Sequence, residues 1–450
     1  MTIEDVIQQA EKAGVELVEF LFVDNGGIIR GKLTHADHLR SRIISGIGIT
    51  PAMMAMNMLD QLQPIPEMGP VGEVRLIPDP DSFRILPYSP RVASMLCDQI
   101  TLTREPWAAC PRSFLKSVIR QAEAMGIRVM ATYEDEFTLA RVTEDGRYVP
   151  IDKSLCFSSI GMDVGNPVIL DIMSALKAQG IQPEQYYPEL GHGQHELSIS
   201  PTDLLGAADN QVRYRETVRA IARQHGLVAS FAPKPFVDQA GNGAHIHFSL
   251  WDLDGERNLL WDPNDRFRLS ELGYQFAAGI LRHLRGLVAL TCASVNSYRR
   301  LNPRSWSSAY TAFGPDNREA AVRIASTFWG NEERSMNMEL KSSDSSANPY
   351  LALGALVAAG LDGIRNGWHP GTAVEVDPAS LSDDERKRLG IVRLPSSLGE
   401  AVDAMEADPF FKETLGELLF RSYTTVKRSE FAAFAERDTE FELTNHFYKF

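Results

Sequence analysis

Apolar positions in this chain change their spacing in blocks, and the blocks mark elements. Thr2 and Asp5 form the two halves of a helix-capping box, and helical spacing then runs to about Ala13. Val15 to Val23 reads as a strand, Asp24-Asn25-Gly26-Gly27 as a tight turn, and Ile28 to Leu33 as the returning strand of a hairpin. A helix over 35–44 follows, then the glycine-punctuated loop Ser45 to Thr50. Prolines break short apolar runs between 64 and 92, as in strands joined by irregular loops. Glu105-Pro106 and Cys110-Pro111 mark a crossing, so the pattern predicts a small α+β domain over 1–108 and a second domain over 109–450.

In the second block, Pro111 to Met125 is amphipathic and stops at Gly126. A strand entered at Val129 carries Glu134-Asp135-Glu136. Helices over 166–179 and 203–224 flank Tyr187 to Glu196 and the alternating Leu197-Ser198-Ile199-Ser200. A strand over 228–232 precedes Ala240 to Leu250, and helices dominate afterwards, notably 270–286, 347–364, 398–406 and 428–436. Strands first and helices later, with no internal repeat, predict an α+β architecture.

Composition narrows the classes. The chain has 450 residues, 44% of them hydrophobic and 23% charged, which is ordinary for a soluble globular protein. A net charge of −14 argues against nucleic acid or an anionic membrane as partner. Cys97, Cys110, Cys156 and Cys292 lack the spacing of a disulfide framework or a zinc ribbon. The first residues do not resemble a signal peptide, and runs such as Tyr350 to Gly360 are too short to span a bilayer, so the expected location is the cytoplasm.

Chemistry concentrates in Tyr187-Pro188-Glu189-Leu190-Gly191-His192-Gly193-Gln194-His195-Glu196. By itself this stretch reads as a metal or catalytic site or as a solvated hairpin tip. Three further pairs carry the argument: Glu134 with Glu136, His245 with His247, and Glu339 with Lys341 are each two apart, so on strands each pair shares a face. Glutamates with a histidine make an oxygen-rich site that favours Mg²⁺ or Mn²⁺ over zinc. Arg299, Arg300, Arg304, Arg318 and Arg323 add guanidinium forks suited to carboxylate and phosphate, and metals with arginines are the parts of phosphoryl transfer. No Walker-type GxxxxGK[ST] is present.

With these motifs in order, the chain resembles the glutamine synthetase family over essentially its whole length. The matching residues are Glu134-Asp135-Glu136-Phe137, Gly193-Gln194-His195-Glu196, Gly241-Asn242-Gly243-Ala244-His245-Ile246-His247, Asn317-Arg318 with Arg323, and Ser346-Ala347-Asn348-Pro349-Tyr350-Leu351-Ala352. The resemblance implies a β-grasp N-terminal domain and a catalytic α+β domain on a curved antiparallel sheet. It also implies a homo-oligomer of stacked rings, expected as a dodecamer, in which a neighbour's N-terminal domain completes each site.

The residue roles are likewise implications of the resemblance. Glu136, Glu189 and Glu196 hold one metal, and Glu134, His245 and Glu339 the other. Glu184, His247 and Ser249 contact ATP. Arg318 and Arg323 neutralise the transferred phosphoryl group, and Arg300 grips the α-carboxylate of glutamate, with Gly241 and Lys341 at the same substrate site. The expected cofactors are ATP with Mg²⁺ or Mn²⁺.

Three departures bear on the nucleophile. Where the family builds its ammonium pocket from an aspartate, a tyrosine and a flap glutamate, this chain has Thr50, Cys156 and Trp306. Without the acids a small cation loses its reason to bind, and a thiol with an indole offers an apolar wall. An organic amine, more readily a monoamine than a polyamine, is therefore the expected partner of glutamate. An ordinary ammonia-using enzyme and a non-catalytic ring are the alternatives. Lys341 and Asn337 stand where the family has arginines, Ala240 replaces an asparagine of the glutamate site, and Val392 replaces the tyrosine that some bacterial members adenylylate.

Overall fold

The computed structural model describes residues 1–450. Two sheets organise the chain. The first contains β1 (Leu17–Val23), β2 (Ile29–His35), β3 (Ile47–Ile49), β4 (Val74–Pro78), β5 (Arg84–Ile85) and β6 (Val92–Thr101). Its order is β2-β1-β6-β4-β3, with β5 also on β6. β1 and β2 form the hairpin that the alternation predicts, from Leu17 opposite His35 to Val23 opposite Ile29, and β6 lies parallel to β1. The capping box is present: Thr2 Oγ1 accepts from Asp5 N at 3.1 Å, and Asp5 Oδ2 accepts from Thr2 N at 2.8 Å. It starts a helix over Ile3–Ala13.

The hairpin turn is a docking plug. Asp24 and Asn25 are fully buried. Asn25 Nδ2 donates to Met54 O and to Ser422 Oγ, while Asn348 Nδ2 donates to Val23 O and Asp24 O. Arg215, itself buried, donates to Gly27 O at 3.2 Å. Gly27 has φ +84°, and a Cβ there would sit 2.1 Å from Ser346 O. Gly27→Ala is therefore expected to destabilise the chain by about 2–4 kcal/mol, from a left-handed backbone plus a backbone clash, read as a lower urea midpoint.

The second sheet contains β7 (Arg128–Val142), β8 (Tyr148–Pro150), β9 (Pro183–Pro188), β10 (Gln194–Ile199), β11 (Thr202–Asp203), β12 (Val228–Ser230), β13 (Ala244–Trp251), β14 (Phe313–Pro315), β15 (Val322–Ile324) and β16 (Met338–Leu340). Its order is β14-β15-β16-β13-β7-β10-β9, and β8, β11 and β12 also pair with β7. All pairings except β14–β15 are antiparallel, and the sheet curls into a half-barrel. Strand alternation gives its two faces different jobs. Val129, Ala131 and Tyr133 of β7 and Ala244, Ile246, Phe248 and Leu250 of β13 are buried with the helices Glu271–Thr291 and Pro349–Asn366 in the largest apolar core. The intervening residues face the other way, and they are the acids and histidines.

Several helices differ from the spacing. The helix expected over 166–179 begins at Ser159, capped by Ser158, and runs to Ala178. Gly161, Gly165 and Pro167 hide it, because two of them are small for a reason: a Cβ on Gly161 would meet Ser154 and Pro188, and one on Gly165 would meet Tyr186 and His195. The helix expected over 428–436 begins at Glu417, and the one over 35–44 splits into a 3₁₀ turn, Ala36–His38, and an α-helix, Leu39–Ser45. No helix is long and apolar enough to cross a membrane.

Candidate active site

Cross-strand pairing brings the predicted residues together. Glu134 lies opposite His245 and Glu136 opposite Glu196. His247 lies opposite Glu339, which lies opposite Arg323, and Tyr187 lies opposite Glu196. Directly opposed residues share a face. One face of six neighbouring strands therefore carries Arg323, Glu339, both histidines, Glu134, Glu136, Glu196 and Tyr187. Asp135, between the two glutamates, points to the core side, where Gln211 and Ser345 hydrogen-bond it.

The site has two centres. In the first, Glu339 is fully buried and meets Arg323, Lys341 Nζ at 3.3 Å and His245 Nδ1 at 3.3 Å. His245 Nδ1 is also 3.3 Å from Glu134 Oε2, and His247 Nε2 lies 3.5 Å from Glu134 and 3.7 Å from Glu339. One ligand atom each from Glu134, His247 and Glu339 lies within 4.8 Å of the others. Hydrogen bonds orient both rings. Asn337 Oδ1 lies 2.9 Å from His247 Nδ1, and the buried Nε2 points at Glu134 and Glu339, whose carboxylates raise the imidazole above its ordinary value against its burial. Arg300 Nη2 donates to His245 Nε2 at 3.1 Å, which leaves the proton of His245 on Nδ1. Both imidazoles thus face the Glu134 and Glu339 carboxylates. Two carboxylates with an imidazole nitrogen within reach are a donor set that fits a divalent cation.

In the second centre, Glu136 and Glu196 oppose each other across β7 and β10, Glu189 lies within electrostatic reach of Glu136, and Arg300 and Lys341 act on Glu136 as counter-charges. Glu136 Oε2 accepts from Gln194 Nε2 at 2.7 Å and from Gly243 N at 3.0 Å, and Glu196 accepts from the Tyr187 hydroxyl. Burial, then repulsion from Glu136, pushes the Glu189 carboxyl up to about 7. Burial and the neighbouring Glu134 and Glu136 raise Glu196 well above the carboxylate range, and burial raises Glu136 as well. Glu134 goes the other way: hydrogen bonds from His245 and His247 overcome its burial and hold it well below its ordinary value. Like charges kept this close make a site that cations relieve. Gln194→Ala is expected to weaken Mg²⁺ or Mn²⁺ binding by about 10–100-fold, since it frees Glu136 to turn away; calorimetric titration of the metal alone measures this.

The remaining predicted residues sit as follows. Arg300 is buried, and Nη1 donates to Ser343 O at 3.2 Å. Gly241 lies against it: a Cβ there would be 3.0 Å from Arg300 Cγ. Arg318 is exposed and makes no side-chain hydrogen bond or ion pair. Ser249 accepts from the Trp251 indole at 2.8 Å, and Glu184 accepts from Ser200 at 2.7 Å. Cys156 Sγ lies 3.9 Å from Glu189 Oε2, and burial, then Glu189, pushes its thiol up to about 11. Trp306 is 58% exposed, and its backbone N–H donates to Glu319. Thr50 belongs to the first sheet's loops, its hydroxyl held by Gly69 O at 2.9 Å, and no hydrogen bond within the chain joins it to Cys156 or Trp306. His195 is buried on the opposite face from Glu196, 3.1 Å from the Tyr186 hydroxyl. Sequence reasoning did not find Tyr187, Gln194 or Asn337 as supports of the acids and of His247. Tyr187 and Gln194 were legible only as residues two removed from the expected ligands Glu189 and Glu196.

The site is thus of the class in which a curved sheet presents carboxylates and histidines on one face, with one group that could hold a metal ion. The sequence model for the glutamine synthetase N-terminal domain matches residues 1–107, and that for the glutamine synthetase catalytic domain matches residues 108–446. The glutamine synthetase of Halobacterium salinarum is 34% identical over 451 residues, covering 99% of this chain and 96% of that one. The gamma-glutamylpolyamine synthetase GlnA3 of Streptomyces coelicolor is 35% identical over 420 residues, covering 93% and 90%. Among solved structures, a novel glutamine synthase homolog superposes with a TM-score of 0.86 at 32% identity, covering 97% of this chain and 99% of that one. A GmaS–ADP complex superposes at 0.85 and 31%, covering 97% and 98%. The chain belongs to the glutamine synthetase family and is a ligase of that family. Members of the family use ATP and divalent metal ions.

Proposed function

We propose that this enzyme joins an organic amine to the γ-carboxylate of glutamate, consuming ATP. The wall beside Glu189 carries this reading. There the acidic pocket that would hold ammonium is replaced by Cys156, and Phe157 packs edge-on against Tyr187 with centroids 4.9 Å apart. That surface suits carbon, and Trp306 and Thr50 extend the same change of chemistry. The kinship with a protein named gamma-glutamylpolyamine synthetase supports an amine substrate. The absence of carboxylates at these three positions favours a monoamine, alkyl or aromatic, over a polyamine.

The reaction has two steps. The γ-carboxylate oxygen of glutamate attacks the γ-phosphorus of ATP, giving γ-glutamyl phosphate and ADP. The amine nitrogen then attacks the acyl carbon, phosphate leaves, and nitrogen loses a proton to give the amide. Arg300 with Gly241 and Lys341 positions glutamate, and Arg318 and Arg323 neutralise the phosphoryl group. Glu184, Ser249 and His247 line the nucleotide end. Glu136, Glu189 and Glu196 would hold one Mg²⁺ or Mn²⁺, and Glu134, His245 and Glu339 the second, with His247 beside them. When bound, such ions neutralise phosphate charge and the crowded carboxylates.

The assembly we propose is a stacked-ring dodecamer of two-domain subunits, 1–108 and 109–450, with Thr50 supplied to each site by a neighbour. An amine panel with coupled ADP detection and product mass tests the function. Methylamine to benzylamine should exceed ammonium in kcat/KM by about tenfold or more. Ammonium turning over best would restore the ordinary glutamine synthetase reading.

A further inference from the structure

Trp306 sits on a segment, 302–308, that three non-glycine residues hold in the left-handed region: Arg304 at φ 57°, Trp306 at φ 56° and Ser308 at φ 62°. Such a path persists only where contacts determine it. Its base is well held. Arg393 donates to Ala309 O at 3.0 Å and to Leu301 O at 3.2 Å, and Ser308 Oγ donates to Ala320 O at 2.9 Å. Its tip is held mainly through Glu319, whose carboxylate accepts from Trp306 N at 2.7 Å and is also reached by the Arg304 backbone. The guanidinium of Arg304, exposed, reaches Asp377 only at 3.8 Å.

Glu319 is itself fixed. Its backbone N–H donates to Asn317 Oδ1 at 3.0 Å, and Asn317 Nδ2 donates to Val374 O at 2.7 Å and Val376 O at 2.9 Å. It follows Arg318 directly in the chain, and its half-buried carboxylate lies within electrostatic reach of Lys341, the lysine on Glu339. The residue that holds the tip is thus tied to the phosphoryl end of the site.

We propose that Glu319 is a positioning residue that fixes Trp306 over the acceptor side of the site and thereby sets which amines are accepted. The inference rests on the amine-ligase reading above. Its mechanism is a hydrogen bond rather than a charge: the carboxylate accepts one backbone N–H and so selects one placement of the indole relative to Arg318.

The test compares Glu319→Ala and Glu319→Gln in the full-length enzyme, with KM and kcat measured for ATP, glutamate and amines graded from ammonium to benzylamine. Glu319→Ala should raise KM for the preferred amine by about tenfold or more and flatten the preference among amine sizes, with KM for ATP and glutamate within about twofold and an unchanged melting temperature. Glu319→Gln, whose amide oxygen accepts the same N–H, should restore the amine KM to within about threefold of wild type. An unchanged amine KM in Glu319→Ala overturns the proposal. So does an equal defect in Glu319→Gln, which would assign the effect to charge, or a matching rise in the glutamate and ATP KM values. Wild-type preference for ammonium would overturn the amine reading alone; the ammonium KM of the two variants then still decides whether Glu319 positions the segment.

Discussion

Glu339→Gln should lower kcat by about 1,000-fold and remove the thermal stabilisation that ATP with Mn²⁺ gives the wild type. The carboxylate is fully buried, and Arg323, Lys341, His245 and His247 all converge on it. Glutamine preserves shape but removes the charge that draws these groups together and offsets their mutual repulsion. Breaking one member of a buried ionic cluster costs about 3–5 kcal/mol because its partners are left uncompensated. Part of that cost appears in the metal-free fold, so the melting temperature without ligands must be measured beside activity. A kcat within tenfold of wild type, in a variant that still folds, would remove Glu339 from the nucleotide-side centre. A lost thermal shift with retained activity would be equally damaging, since both follow from one donor set.

What was legible in the sequence was whatever depends on neighbours along the chain. The i, i+2 rule places Glu134 with Glu136, His245 with His247, and Glu339 with Lys341, because a strand alternates whatever it pairs with. The capping box at Thr2 and the hairpin through Gly27 are equally local. Registers such as Glu136 opposite Glu196 are set by long-range pairing, and no spacing announces them. The same limit explains the buried hairpin turn. Asp24-Asn25-Gly26-Gly27 has turn chemistry, but the groups that receive it, Arg215, Asn348 and Ser422, lie 188 to 397 residues away in sequence. Glu319 escaped for a related reason: it works through the backbone of Trp306, 13 residues earlier, and side-chain motifs do not record backbone acceptors. Asn337 and Arg300 reach His247 and His245 from separate segments, and no spacing along the chain announces either contact.

Trp306→Glu should invert the choice of nucleophile, with kcat/KM for the preferred organic amine falling by about 10–200-fold and that for ammonium rising. The indole is 58% exposed, so replacing it opens no core cavity, and the segment's anchor is the backbone N–H donated to Glu319, which any residue but proline retains. The substitution therefore changes the surface offered to the amine while leaving the segment's path in place. A carboxylate there favours a small cation and penalises carbon, the reverse of what an indole does. The thiol of Cys156, 3.9 Å from Glu189, remains as the other wall, so ammonium need not reach the turnover of the organic amine for the argument to hold. The ratio between the two substrates is the quantity that matters. If it stays constant while both rates fall together, Trp306 merely supports the segment, and selection of the amine must lie with Cys156 or with the neighbour's Thr50.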